Sequence, residues 1–115
     1  MVLLTFDEAG NKVIESHFAG SGEAEGASLV QAADNGFMLA GSTQADEAQP
    51  RDVYLVRTDS AGDSVWEIIH GGDGEESGGP MTRSNDGGYV MAGSTTSFGA
   101  GGKDLYILKV MESGM

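Results

Sequence analysis

The chain has 115 residues, no cysteine, 19 glycines and a formal net charge of -12 at pH 7, with a pI of about 4.2. This length suits one small domain, and the lack of cysteine excludes a disulfide framework and a thiolate metal site. The strong negative charge argues against nucleic-acid binding and against an anionic membrane surface, because those surfaces are negative themselves.

Short segments typical of β-strands, separated by turn residues, follow one another along the whole chain. They are rich in β-branched, aromatic or small residues, and they occupy residues 2–6, 12–18, 26–32, 36–42, 53–58, 64–70, 78–84, 88–94 and 105–110. No stretch keeps the 3.6-residue apolar period of a helix long enough to predict one. The sequence therefore predicts an all-β fold.

The same series of turns and strands occurs twice, at a spacing of 52 residues and without a gap. The aligned segments include Asp34-Asn35-Gly36-Phe37 with Asp86-Gly87-Gly88-Tyr89, and Asp52-Val53-Tyr54-Leu55 with Asp104-Leu105-Tyr106-Ile107. Matches spread over a whole unit indicate one supersecondary unit used twice. We divide the single domain into a first repeat (1–52), a second repeat (53–104) and a partial repeat (105–115).

Four antiparallel strands in a repeat of this length are typical of one β-propeller blade. Residues 52–66, the hairpin at Asp86-Gly87-Gly88-Tyr89 and the following Gly93-Ser94-Thr95 resemble the blades of a bacterial and archaeal β-propeller repeat family. The resemblance implies two four-stranded blades that form part of an oligomeric β-propeller. It implies no substrate, since one fold serves many functions. Members of that family usually carry many repeats, whereas this chain carries two.

The chain boundaries are out of phase with the blades. If the strands of a blade are named a to d from the inner to the outer edge, the chain reads c-d, a-b-c-d, a-b-c. Two blades cannot close a ring, and they leave strand edges open. We therefore expect a homo-oligomer, either a trimer or tetramer that closes a propeller or a strand-exchanged dimer. The expected interface residues lie in the two terminal strands: Val2, Leu3, Leu4, Leu105, Tyr106, Ile107 and Leu108.

A binding site is expected on the longer loops, which follow strands b and d and emerge at one end of the blades. These loops are acidic, so a ligand there should be cationic, metal-bridged or a basic protein surface. The candidate residues are Asp73, Glu75 and Glu76. A weak calcium site is the alternative to solvated acidic loops, but the spacing matches no known calcium-binding motif. We therefore predict neither a metal nor a cofactor.

The expected function is that of a non-catalytic binding or scaffold module whose ligand the sequence does not identify. His17 and His70 occupy non-equivalent positions and should point to opposite blade faces, which argues against a catalytic pair. One alternative is a hydrolase or lyase with a site in a central channel or between subunits. Gln31 and Arg83 on strand a are then the residues to test. Another alternative is a truncated fragment of a larger propeller without independent function.

Two further expectations concern location and packing. The first residues lack the basic flank of a signal peptide, and no apolar segment reaches the roughly 20 residues of a membrane span. The sequence as given is therefore expected in the cytoplasm. Trp66, on the second d strand, is expected to pack against a neighbouring strand or blade.

Overall fold

The computed structural model describes residues 1–20, 22–98 and 102–112, and its regular structure there is entirely β-strand. The all-β prediction is confirmed. None of these residues belongs to a helix long and apolar enough to cross a membrane. The strands are β1 (Val2–Phe6), β2 (Lys12–His17), β3 (Glu23–Gln31), β4 (Phe37–Gln44), β5 (Asp52–Thr58), β6 (Ser64–His70), β7 (Glu76–Ser77), β8 (Met81–Arg83), β9 (Tyr89–Thr95) and β10 (Asp104–Val110).

The strands form three antiparallel layers in chain order. β1 and β2 form the amino-terminal hairpin, and β3-β4-β5-β6 form the central sheet. In the carboxy-terminal sheet, β9 pairs with β10 on one side and with β7 and β8 on the other. The predicted four-stranded antiparallel unit is therefore present in full in the central sheet. The hairpin corresponds to strands c-d and the last sheet to a-b-c, and the three layers do not close a ring.

The second a strand is interrupted, which differs from the continuous strand predicted at 78–84. β7 and β8 are separated by Gly78, Gly79 and Pro80, although the Pro80 carbonyl still accepts a 3.0 Å hydrogen bond from the Ala92 amide. Proline has no amide hydrogen to donate, so the ladder is broken at this point. The glycines allow a close approach to the central sheet, because a Cβ on Gly78 would lie 2.5 Å from the Gly41 carbonyl oxygen.

Two apolar cores lie on opposite faces of the central sheet. Alternate residues of a strand point to opposite faces, so Val53 and Leu55 pack against the carboxy-terminal sheet while Tyr54 and Val56 pack against the amino-terminal hairpin. All four side chains are fully buried. We call these two faces of the central sheet its C-facing side and its N-facing side.

The turns between c and d strands use the same chemistry in both repeats. Asp7 Oδ1 accepts the amides of Ala9 and Asn11, and Asp59 Oδ1 accepts those of Ala61 and Asp63, at 2.9–3.0 Å. Each turn also contains a glycine with a positive φ angle, Gly10 or Gly62, at 86° or 87°. Residues with a side chain rarely adopt that backbone conformation, so glycine is favoured at both turns.

Trp66 joins the central sheet to the carboxy-terminal layer. Its half-buried ring packs against the core on the C-facing side, and its Nε1 donates a 3.0 Å hydrogen bond to the Glu112 carbonyl oxygen. The expected packing of this residue against a neighbouring layer is confirmed.

Replacing Trp66 tests this contact between layers. Trp66→Ala should lower the free energy of unfolding by about 2–3 kcal/mol, less than for a fully buried ring because this one is half-buried. Trp66→Phe keeps most of the apolar contact and should cost about 1 kcal/mol for the lost hydrogen bond. Urea unfolding followed by circular dichroism measures both, and equal stability of Trp66→Ala and the unchanged protein would contradict the packing.

Candidate functional site

The longer loops lie together at one end of the layers, as the sequence predicts. The Gly74 amide donates to Ser97 Oγ and the Glu75 amide to Thr96 Oγ1, both at 2.7 Å. The Thr96 amide in turn donates to the Glu75 carbonyl oxygen at 2.9 Å. Residues 99–101, which belong to the loop between β9 and β10, lie outside the described residues.

This end of the molecule carries a group of exposed carboxylates. We call it the acidic loop end, and it consists of Glu23, Glu25, Asp46, Glu47, Asp73 and Glu75. Arg51 is held in place there, because its amide donates to Glu75 Oε2 at 2.8 Å and its guanidinium lies 3.8 Å from Glu25 Oε2. Such a surface attracts cations and repels anions.

Glu76 does not belong to this exposed surface, and its expected place in the acidic loop is wrong. It lies in β7, is only 1% exposed, and pairs across the sheet with Thr95. Thr95 Oγ1 donates to its Oε1 at 2.9 Å, and the Gly72 amide donates to its Oε2 at 3.2 Å. The side chain thus fixes the loop to the sheet from inside, while Asp73 and Glu75 stay exposed.

The carboxylates of Asp52 and Glu76 lie close together beneath the loop, with the exposed Glu75 nearby. Burial raises the pKa of Asp52 above its usual value, and the charges of Glu76 and Glu75 raise it further. Gly71 leaves them room, since a Cβ there would overlap the Asp52 carboxylate. Among residues 1–20, 22–98 and 102–112, no group of three or more His, Cys, Asp or Glu side chains could hold a metal ion.

Neutralising Asp52 should stabilise the fold at neutral pH. With its pKa raised on folding, the folded state binds more protons than the unfolded state, so its stability falls as the pH rises through the raised pKa. Asp52→Asn should therefore increase the melting temperature at pH 7, and the increase should vanish below the ordinary aspartate value of 3.8. The control is Asp63→Asn in a c–d turn at the opposite end, which should leave the melting temperature unchanged. A lower melting temperature for Asp52→Asn at pH 7 would show that the Asp52 charge stabilises the fold.

A cleft of about 420 Å³ runs along β10, and no strand of the described residues pairs with β10 on the side where a d strand would lie. His70, Phe98 and Tyr106 line it, with ring centroids 5.8–6.2 Å apart, and the Tyr106 hydroxyl is hydrogen-bonded to His70 Nδ1. His17 lies on the outer side of the amino-terminal hairpin, so the two histidines are not brought together.

The opposite end of the layers contains an ion-pair network that the sequence analysis missed. Arg57, buried at the end of β5, lies 3.0 Å from Asp34 Oδ1 and donates from Nε to Glu112 Oε1 at 2.6 Å. The Tyr89 hydroxyl also donates to Glu112. The signal in the sequence was an arginine within an apolar strand, because a buried guanidinium requires a partner.

The Tyr89 hydroxyl in this network should make the fold sensitive to alkali. Burial, followed by the hydrogen bond to Glu112 and the Glu112 charge, raises its pKa from 10.0 to about 12. The folded state then holds this proton more tightly than the unfolded state, so stability falls as the pH rises between those values. Tyr89→Phe has no hydroxyl to titrate and so does not lose stability in this way. The urea midpoint of Tyr89→Phe should lie below that of the unchanged protein at pH 9, and the difference between the two midpoints should become smaller by pH 12. A deficit that stays constant would contradict it.

Gln31 and Arg83 lie at equivalent positions in two different layers, Gln31 in β3 of the central sheet and Arg83 in β8 of the carboxy-terminal sheet. Each ends its a strand beside an a–b turn, at exposed positions opposite Phe37 and Tyr89. Arg83 lines a cleft of about 370 Å³ that also contains the Arg57 network, whereas Gln31 does not line it. The described residues show no hydrogen bond between Gln31 and Arg83.

The seven expected interface residues divide into an outer and an inner set. Val2, Leu4, Leu105 and Ile107 are exposed, and Leu105 is 74% exposed. The other three point inward. Leu3 is buried in the core on the N-facing side of the central sheet, Leu108 packs half-buried against the core on its C-facing side, and Tyr106 is half-buried.

No protein-family model matches the chain, and no curated protein matches it significantly. The functional interpretation therefore depends on the geometry of the layers and on the chemistry of their surfaces.

Proposed function

We propose that the protein is a non-catalytic β-propeller module that self-associates and presents the acidic loop end to a cationic partner. The observation that carries the proposal is the contrast between inner and outer faces. Both faces of the central sheet are covered by a neighbouring layer, whereas each terminal layer leaves an apolar face in solvent. A second copy of the chain can cover what one chain leaves open.

The propeller part of the proposal is supported by the order of the layers. They follow one another as c-d, a-b-c-d and a-b-c, with the 52-residue repeat setting one layer on the next. Repeat units of this kind bury a continuous core only when several are stacked. Closure of a ring by several chains supplies the further blades and removes the free faces.

The binding part of the proposal is supported by charge. Six exposed carboxylates stand at the acidic loop end, and a ring of several chains multiplies them on one surface. The loops are hydrogen-bonded to each other through the Gly74 and Glu75 amides, and these bonds fix the conformation of this surface. A basic protein segment is the ligand class that such a surface attracts.

Solution mass tests the self-association. Multi-angle light scattering at micromolar concentration should give a discrete multiple of the 11.9 kDa chain. Deleting residues 1–6, or introducing Ile107→Pro, should reduce the mass or cause aggregation, because each removes part of a terminal layer. A stable monomer at these concentrations would overturn the proposal, and undefined aggregates would favour a fragment without independent function.

Binding of a basic peptide tests the acidic loop end. An oligolysine probe should bind more weakly as salt increases, and Asp73→Asn should weaken it about two- to threefold, as expected for one exposed charge. Asp63→Asn removes the same charge at the other end and serves as the matched control. Equal effects of the two substitutions in fluorescence anisotropy would show that only net charge matters.

A further inference from the structure

We infer that copies of the chain associate head to tail, with the exposed face of the carboxy-terminal sheet packed on the exposed face of the amino-terminal hairpin of a second copy. This inference rests on the proposed self-association and specifies the surfaces that carry it. It differs from strand exchange, because no strand leaves its own sheet.

The two contacts inside the chain use the same pair of faces. For every layer, we call the side turned toward the later strands of the chain its C-facing side and the opposite side its N-facing side. In both contacts, the C-facing side of one layer packs on the N-facing side of the next. Leu3 of the hairpin packs on the N-facing side of the central sheet, and its equivalent 52 residues later, Leu55, packs on the carboxy-terminal sheet. The layers therefore follow one repeated operation rather than two unrelated contacts.

Each terminal layer has one free face, and the 52-residue repeat relates each free face to a face that is buried inside the chain. The C-facing side of the carboxy-terminal sheet carries the equivalents of the buried Met38, Ala40, Val53 and Leu55, namely Val90, Ala92, Leu105 and Ile107. The N-facing side of the hairpin carries the equivalents of the buried Tyr54 and Val56, namely Val2 and Leu4. Val90 and Ala92 are half-buried and the other four are exposed, and the two sets correspond to surfaces that already pack on each other within the chain.

Charge agrees with the same pairing. Between the central and last layers, the buried Arg57 pairs with Glu112. One repeat earlier, the corresponding residues are the neutral Thr5 and Ser60, and one repeat later they are Lys109 and, in the second copy, Glu8. The repeat thus matches each cationic position with an anionic one and the neutral position with a neutral one. Lys109 and Glu8 are both exposed, and Lys109 pairs with Asp86 of its own sheet just as Arg57 pairs with the equivalent Asp34 while it also reaches Glu112.

The terminal strands are fully paired inside the chain. All seven residues of β10 pair with β9, and all five of β1 pair with β2. Exchange of either strand would first break these ladders, whereas packing of faces breaks none. A head-to-tail contact is heterologous, so it leads to a ring when the rotation closes.

Complementary face variants test the geometry. Leu105→Asp spoils one face and Leu4→Asp the other, so each variant alone should associate at least tenfold more weakly than the unchanged chain. Mixed together, they retain one intact pair of faces and should form a discrete heterodimer in light scattering. Circular dichroism of each variant checks that the fold persists.

Val13→Asp is the matched control on the hairpin. Val13 is 63% exposed, and its equivalent Val65 stays 59% exposed although the N-facing side of the central sheet is covered. The contact should therefore leave Val13 in solvent, and Val13→Asp should associate like the unchanged chain. A loss as large as that of Leu4→Asp would overturn the assigned register.

A charge exchange tests the register independently of apolar packing. Lys109→Glu and Glu8→Lys should each weaken association several-fold through like charges, and the mixture of the two should restore it. If the unchanged protein assembles but neither face nor charge variants alter its mass, the head-to-tail faces are wrong and edge pairing along β10 takes their place. If only one of the two face variants loses association, the contact is isologous and the inference fails. A monomeric unchanged protein would overturn the proposed function as well.

Discussion

The burial of the central sheet on both faces is the constraint on which the rest of the structure depends. Strand β5 contributes alternate residues to two separate cores, so neither flanking layer can leave without exposing large apolar side chains. Buried polar groups follow the same plan, since Arg57 and Glu76 each reach partners in a neighbouring layer or loop. The central sheet is therefore the layer with the most extensive apolar packing, and the two terminal layers, each packed on one face, have the least.

Each terminal layer has one apolar face that no other described layer of the chain covers. A layer with one covered face has only half the packing that the central sheet has. The amino terminus is fixed all the same, because the Met1 ammonium group donates to the carbonyl oxygens of Phe18 and Ala24 at 3.0 Å. The proposed association through the outer faces would give the terminal layers the environment that the repeat already provides in the middle, and it would place the acidic loop ends side by side.

Much of the fold could be predicted from the sequence because turn residues and strand alternation recur at a fixed spacing. The c–d turns at Asp7 and Asp59 follow from local chemistry alone, and the packing of Trp66 follows from a large aromatic ring placed on a strand. The break between β7 and β8 has one cause that the sequence shows, the missing amide hydrogen of Pro80, and one that it does not show, the close approach of Gly78 to the central sheet. The burial of Glu76 was equally hidden, because a Gly-rich acidic segment is typical of an exposed loop, and its pairing with Thr95 is a tertiary contact.

Hydrogen exchange measured over a range of protein concentrations tests most directly whether the terminal layers depend on association while the central sheet does not. We expect amides of β5 to be strongly protected at every concentration, and amides of β1 and β10 to lose protection on dilution as their outer faces become exposed. Equal and concentration-independent protection of all three strands would contradict this account.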